Sequence, residues 1–179
     1  EEESEIAKAQ LKAILDNVKI ARESKAAICQ DTGLITYYVK VGHKFPLIDK
    51  LEDLIIEATK RATHEIPLRP NSVNPFTGEN PGDNTGRYIP FIHWEITRGD
   101  GLWIDVVPKG GGSEAVAVLK MPPPGRGLAS VKEAVIDAVL EAGAKPCPPV
   151  IIGVGVGGGV DIATIIAKKQ AVLRRIGSK

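Results

Sequence analysis

Cys29-Gln30-Asp31-Thr32-Gly33 sets a thiol directly before an amide, a carboxylate, a hydroxyl and a glycine, and the second of the two cysteines lies among prolines in Pro146-Cys147-Pro148-Pro149. A thiolate is a soft metal ligand, and on a turn beside hydrogen-bonding and acid–base groups it suits metal-assisted chemistry better than packing. The run Lys109-Gly110-Gly111-Gly112-Ser113-Glu114 places a cation and a hydroxyl around side-chain-free backbone. Exposed N–H groups there could hold a carboxylate, and the plain alternative is a flexible turn. Arg69 opens Arg69-Pro70-Asn71-Ser72-Val73-Asn74-Pro75, and its guanidinium fork matches a carboxylate bidentately. Asn71 and Asn74 are expected to brace that loop through local side-chain to backbone bonds.

Other constellations carry less. Gly153-Val154-Gly155-Val156-Gly157-Gly158 has the form of a dinucleotide fingerprint between an apolar strand and a helix, which would suit an oxidoreductase. No strand follows to complete the βαβ unit and no acid occurs after Asp161, so the expected role of these glycines is tight turning or close backbone approach. His43, His64 and His93 lack zinc-ligand spacing, and a packing or surface role is expected for His93. Lys168, Lys169, Arg174 and Arg175 read as a solvated helix face.

Stepping along the chain, Leu11, Ile14, Leu15 and Val18 share one face of a helix expected over 5–24, which delivers the chain to Cys29. Leu34 to Val41 reads as a strand, and Leu47, Leu51, Leu54, Ile55, Ala58 and Ala62 mark a second helix. Pro67 to Gly86 holds four prolines, three glycines and four asparagines, a functional type of loop. Tyr88 to Thr97 and Leu102 to Val107 alternate around Arg98-Gly99-Asp100-Gly101, a hairpin signal that implies antiparallel pairing. A glycine loop at 110–112, a strand over 116–121, a helix over 129–142, a strand over 150–154 and a helix over 161–175 complete the pattern. The order predicts an α+β fold with a mixed, largely antiparallel sheet and packed helices.

At 179 residues, 43% hydrophobic and 25% charged, the chain reads as one globular domain over 1–179 with a real core. A net charge of +1 argues against nucleic-acid or membrane-surface partners. Neither a membrane span nor a signal peptide is visible, so a cytoplasmic location is expected, where thiols stay reduced rather than forming a disulfide. The start at Glu1 rather than Met suggests a fragment of a longer subunit.

Four segments in order resemble the iron–sulfur-dependent class I fumarate hydratase family, in particular the N-terminal part of the α subunit of two-subunit fumarate hydratases and L(+)-tartrate dehydratases. They are Ile28 to Gly33, Arg69 to Pro75 with Thr77-Gly78-Glu79-Asn80, Pro108 to Glu114, and Cys147-Pro148-Pro149 running into Ile152-Gly153-Val154-Gly155. Ala27 and Ala115 depart from the proline and asparagine expected there. The resemblance implies a [4Fe–4S] cluster held by three cysteines with one iron open, Cys29 and Cys147 being two ligands and the third lying beyond Lys179. It implies reversible hydration of fumarate to malate, a tricarboxylic acid cycle reaction, or dehydration of tartrate to oxaloacetate. In that reading Arg69 and Gly112 bind substrate carboxylate with Lys109 as a lesser contact, Gln30 orients the iron-bound end, and Asp31 polarises the proton-transfer group. The base, a threonine in the family, would come from a C-terminal domain or a β subunit, in an oligomer acting on a four-carbon dicarboxylate.

Overall fold

A computed structural model describes residues 2–66 and 68–178; Glu1, Lys179 and Pro67, the first residue of the turn-rich stretch, lie outside it. The chain divides into two compact units, Glu1–Pro108 and Lys109–Lys179. In the first, α1 (Glu5–Ser24) begins at Ser4, whose Oγ accepts the Ala7 N–H at 3.4 Å, and ends at Lys25 in the left-handed region. Its bounds agree with the expected 5–24, although Leu11, Ile14 and Leu15 on its apolar stripe stay exposed and Ala21 is its buried residue.

β1 (Leu34–Gly42) is the spine of this unit, with Val39 and Val41 almost without solvent contact. It lies between β2 (Phe91–Thr97) and β3 (Leu102–Lys109) in a sheet of order β2-β1-β3, which gives the α+β class expected. β1 and β2 run parallel, in register from Thr36 opposite Phe91 to Gly42 opposite Thr97. Ile35, Tyr37, Val39 and Val41 pack on Leu51 and Ile55 of α2 (Leu51–Glu65), with Phe45, Leu68, Ile92 and Leu102 around them. A strand buried on both faces is expected to be nearly continuous in apolar and β-branched residues, as β1 is.

The expected hairpin is corrected. β2 and β3 are not neighbours, because β1 lies between them. The 98–101 segment instead arches over the end of β1: the Gly42, His43 and Lys44 N–H groups donate to the carbonyls of Gly101 (2.8 Å), Thr97 (3.0 Å) and Gly99 (2.9 Å). The Asp-Gly signal encodes a tight reversal and says nothing about which strand fills the gap.

The inward face of α2 also differs from expectation. Leu51, Ile55, Thr59 and Thr63 are buried at a spacing of four, while Leu54 and Ala58 face solvent. The two threonines bury cheaply because each hydroxyl lies 2.8 Å from the carbonyl four residues back, Ile55 and Thr59 respectively. Thr59 Oγ1 also meets the Tyr37 hydroxyl at 2.9 Å.

In the second unit, α3 (Gly111–Glu114), α4 (Gly127–Ala142) and α5 (Val160–Val172) are joined by irregular chain with one 3-10 turn at Pro124–Arg126. The strands expected over 116–121 and 150–154 are absent among the described residues. Each extended segment leans on a helix instead. Lys120 Nζ pairs with Asp137 of α4 at 2.7 Å, and that hydrogen bond raises the Lys120 pKa. On the other segment, a Cβ at Gly153 would lie 2.0 Å from the Ala167 carbonyl oxygen and one at Gly155 2.1 Å from that of Ala163. Glycines two apart on extended chain thus face alanines four apart on α5, the close-approach role expected for them.

The arch generates a prediction. A Cβ at Gly42 would sit 2.3 Å from the Gly99 carbonyl oxygen, whereas one at Gly86 meets nothing within 4 Å. Gly42→Ala should cost about 1–3 kcal/mol in urea unfolding through overpacking, and Gly86→Ala should be close to neutral. Equal effects of the two substitutions would contradict the arch.

Candidate active site

Cys29 is fixed from both sides. Asn17 of α1 donates Nδ2 to the Ile28 carbonyl at 2.7 Å, holding the chain one residue before the cysteine. Just after it, the Asp31 N–H donates to Cys29 Sγ at 3.3 Å and the Thr32 N–H to the Gln30 carbonyl at 3.1 Å. The turn leaves Cys29, Gln30 and Asp31 exposed and buries Thr32 and Gly33 as it enters β1. A backbone N–H thus aims at the sulfur, whose thiolate is the form that binds metal.

The Arg69 loop reaches this turn through a side chain. Asn71 Nδ2 donates to Asp31 Oδ1 at 2.6 Å, so Asn71 is not the local brace expected for it. Asn74 is one, its Oδ1 accepting the Phe76 N–H at 2.9 Å. The main brace is a residue that sequence reasoning passed over, Asn84, which is wholly buried. Its Oδ1 accepts the Asn71 N–H at 2.8 Å, and its Nδ2 donates to the Arg69 carbonyl and to Thr63 Oγ1, each at 3.2 Å. Asp83-Asn84-Thr85-Gly86 looks like any turn cluster in sequence. The signal that could have marked Asn84 is α2 ending its buried stripe on hydroxyls, which need partners. The Arg69 side chain is exposed.

Lys109, Gly112, Ser113 and Cys147 belong to the second unit. The glycine run winds into the single turn of α3 rather than an open loop, with the Glu114 N–H donating to the Gly110 carbonyl at 3.1 Å. Lys109 is not a solvated loop lysine. Its side chain is only 17% exposed, with Nζ hydrogen-bonded to Ser113 Oγ and 3.6 Å from Glu114 Oε2. Lys168 of α5 pairs with the other Glu114 oxygen at 2.8 Å, which removes it from the solvated face expected for the basic cluster. Two ammonium groups thus share the Glu114 carboxylate beside the glycine turn.

Gly112 is a glycine for a steric reason. A Cβ there would meet the Lys145 carbonyl oxygen at 2.6 Å, so the turn is seated against the chain two residues before Cys147. Cys147 has φ 59° and donates its N–H to the Ala144 carbonyl at 3.1 Å, which presents an exposed thiol from a tight turn. Among the described residues no group of three or more His, Cys, Asp or Glu converges as a metal site. No helix among them is long and apolar enough to cross a membrane.

Since both cysteines are free and exposed, a thiol-directed disulfide reagent should titrate both in the native metal-free chain. If only one equivalent reacts before denaturant is added, the described exposure is wrong.

The chain is 44% identical over 182 residues to a Methanocaldococcus jannaschii protein provisionally named an L(+)-tartrate dehydratase α subunit, covering 99% of this chain and 64% of that one. It is 37% identical over 167 residues to the L(+)-tartrate dehydratase α subunit of Escherichia coli strain UTI89, covering 93% of this chain and 55% of the relative. It therefore spans between about half and two thirds of these relatives' lengths. The profile of the family described as fumarate hydratase (Fumerase) matches residues 1–179, and the chain belongs to that family.

Proposed function

We propose that this chain supplies part of the active site of a hydro-lyase that adds water reversibly to fumarate to give (S)-malate. The observation that carries this reading is the Cys29 turn, where a sulfur accepting a backbone N–H and a carboxylate tied to the Arg69 loop come from residues two apart. Dehydration of L(+)-tartrate to oxaloacetate is the second reading, favoured by the names of the relatives just described.

The donor chemistry fits a [4Fe–4S] cluster: Cys29 and Cys147 are exposed free thiols on irregular backbone, and they would hold two of its corners. We assign the third thiolate to the complete subunit. When bound, the cluster supplies a Lewis acid, one iron without a protein ligand, for a substrate carboxylate and hydroxyl. The exposed Arg69 guanidinium binds a substrate carboxylate, and the Gly112 turn with Lys109 provides positive charge for carboxylate binding. Gln30 orients the bound end of the substrate. Asp31 polarises the group that moves the proton, and a C-terminal domain or a β subunit supplies that group. A cytoplasmic oligomer of α and β subunits is the corresponding assembly.

The test is an anaerobic assay of the complete reconstituted α and β subunits against fumarate, malate and both tartrate enantiomers. Turnover is expected with fumarate and malate, falling to background in Cys29→Ser and in Cys147→Ser. Full activity in either variant after reconstitution would refute the ligand assignment. Preference for one tartrate enantiomer over malate would move the substrate to the second reading. The present chain alone should be inactive, and turnover by it would rule out a shared site.

A further inference from the structure

One buried carboxamide holds the backbone on both sides of Pro70 in the Arg69 loop. Asn84 has no exposed surface and a φ of 58°. Asparagine tolerates that left-handed backbone better than most residues. Its Oδ1 takes the Asn71 N–H, while Nδ2 serves the Arg69 carbonyl and the Thr63 hydroxyl. The orientation of the amide follows from this set, since a flipped group would set donor against donor at Asn71 and acceptor against acceptor at Arg69. Thr63 Oγ1 lies 2.8 Å from the Thr59 carbonyl and 3.0 Å from that of Asp83, and Thr59 Oγ1 meets the hydroxyl of Tyr37 on β1. The loop is thereby tied to the most buried strand of its unit.

At the other end of this chain of bonds the Asn71 side chain leaves the loop. Asn74, three residues further along the same motif, spends its carboxamide locally on the N–H groups of Phe76 and Thr77. Asn71 reaches back 40 positions to Asp31 Oδ1. A residue that only stabilised the loop would have no need of that reach. A donor on one carboxylate oxygen fixes the plane and rotamer of the group.

We propose that Asn71 is a positioning residue for Asp31, and that Asn84 sets Asn71 and the Arg69 backbone together from the core. This rests on the hydro-lyase reading, in which Asp31 polarises the proton-transfer group and Arg69 binds carboxylate. Removing the Asn71 carboxamide should affect the chemical step more than substrate binding, because it takes a hydrogen bond from Asp31 Oδ1 while leaving the Arg69 backbone held.

The experiment is a double-mutant cycle in the complete, anaerobically reconstituted enzyme, with Asn71→Ala, Asp31→Ala and the pair. Asn71→Ala should lower kcat roughly 10–100-fold, the scale of a small misplacement of a reacting group, with KM changed less than about twofold. The pair should be no slower than Asp31→Ala alone, since residues acting as one unit are not additive. Asn84→Ala should lower kcat and raise KM together, because it releases both ends. Because Asn84→Ala also tests folding of the buried core, Asn71→Ala at its half-buried position decides the matter. Unchanged kcat in Asn71→Ala, or additive losses in the pair, would overturn the proposal while leaving hydro-lyase activity in place. A wild-type enzyme inert toward every four-carbon dicarboxylate would remove the hydro-lyase reading and this role with it.

Discussion

The buried Asn84 carboxamide is the constraint on which the arrangement of the Arg69 loop depends. It has no exposed surface and three bonding partners. Each group orphaned by its loss would cost about 1–3 kcal/mol. Its partners are the backbone on either side of Pro70 and a threonine of α2, so one amide decides where Arg69 starts and where Asn71 points. The stripe of α2 explains how this is supported. Its first half, Leu51 and Ile55, packs against β1, and its second half, Thr59 and Thr63, passes hydrogen bonds outward to the loop. A wholly apolar stripe would make a tighter helix–sheet contact and leave the loop without an anchor.

In the second unit close approach plays the part that hydrogen bonding plays in the first. Gly112 lets the Lys145 carbonyl come in beside the α3 turn, and Gly153 and Gly155 let extended chain lie on the alanines of α5. The Cys147 turn lies between these two contacts in sequence. Glu114 then joins the parts electrostatically, with Lys109 on one oxygen and Lys168 of α5 on the other. These are partly exposed pairs, and their worth lies more in fixing the turn than in stability.

Much of this was legible in the sequence where one local rule acts alone. α1 has a capping serine and a clear apolar period, and its bounds follow; β1 is a run of apolar and β-branched residues with one placement, the centre of a sheet. The misreadings fall where partners are distant. An Asp-Gly turn cannot announce that β1 will lie between β2 and β3, and short apolar runs such as 150–154 look like strands whether a strand or a helix receives them. Thr59 and Thr63 count as polar in a periodicity, yet helical carbonyls satisfy them. The same limit hid the site's wiring. Cys29, Asp31 and Arg69 stand out by residue type, but the bonds that join their loops come from Asn71 and Asn84, whose partners lie elsewhere in sequence or whose neighbours look like an ordinary turn.

The central claim is that the Arg69 loop takes its shape from the core through Asn84, and the Asn71 amide reports on it directly. Hydrogen exchange should find the Asn71 N–H protected despite its place in an irregular loop, because Asn84 Oδ1 accepts it at 2.8 Å. In Asn84→Ala that protection should be lost while the amides of Val39 and Val41 in β1 keep theirs. An Asn71 amide that exchanges at the rate of an open loop in the wild-type chain, or one that stays protected without Asn84, would contradict the account.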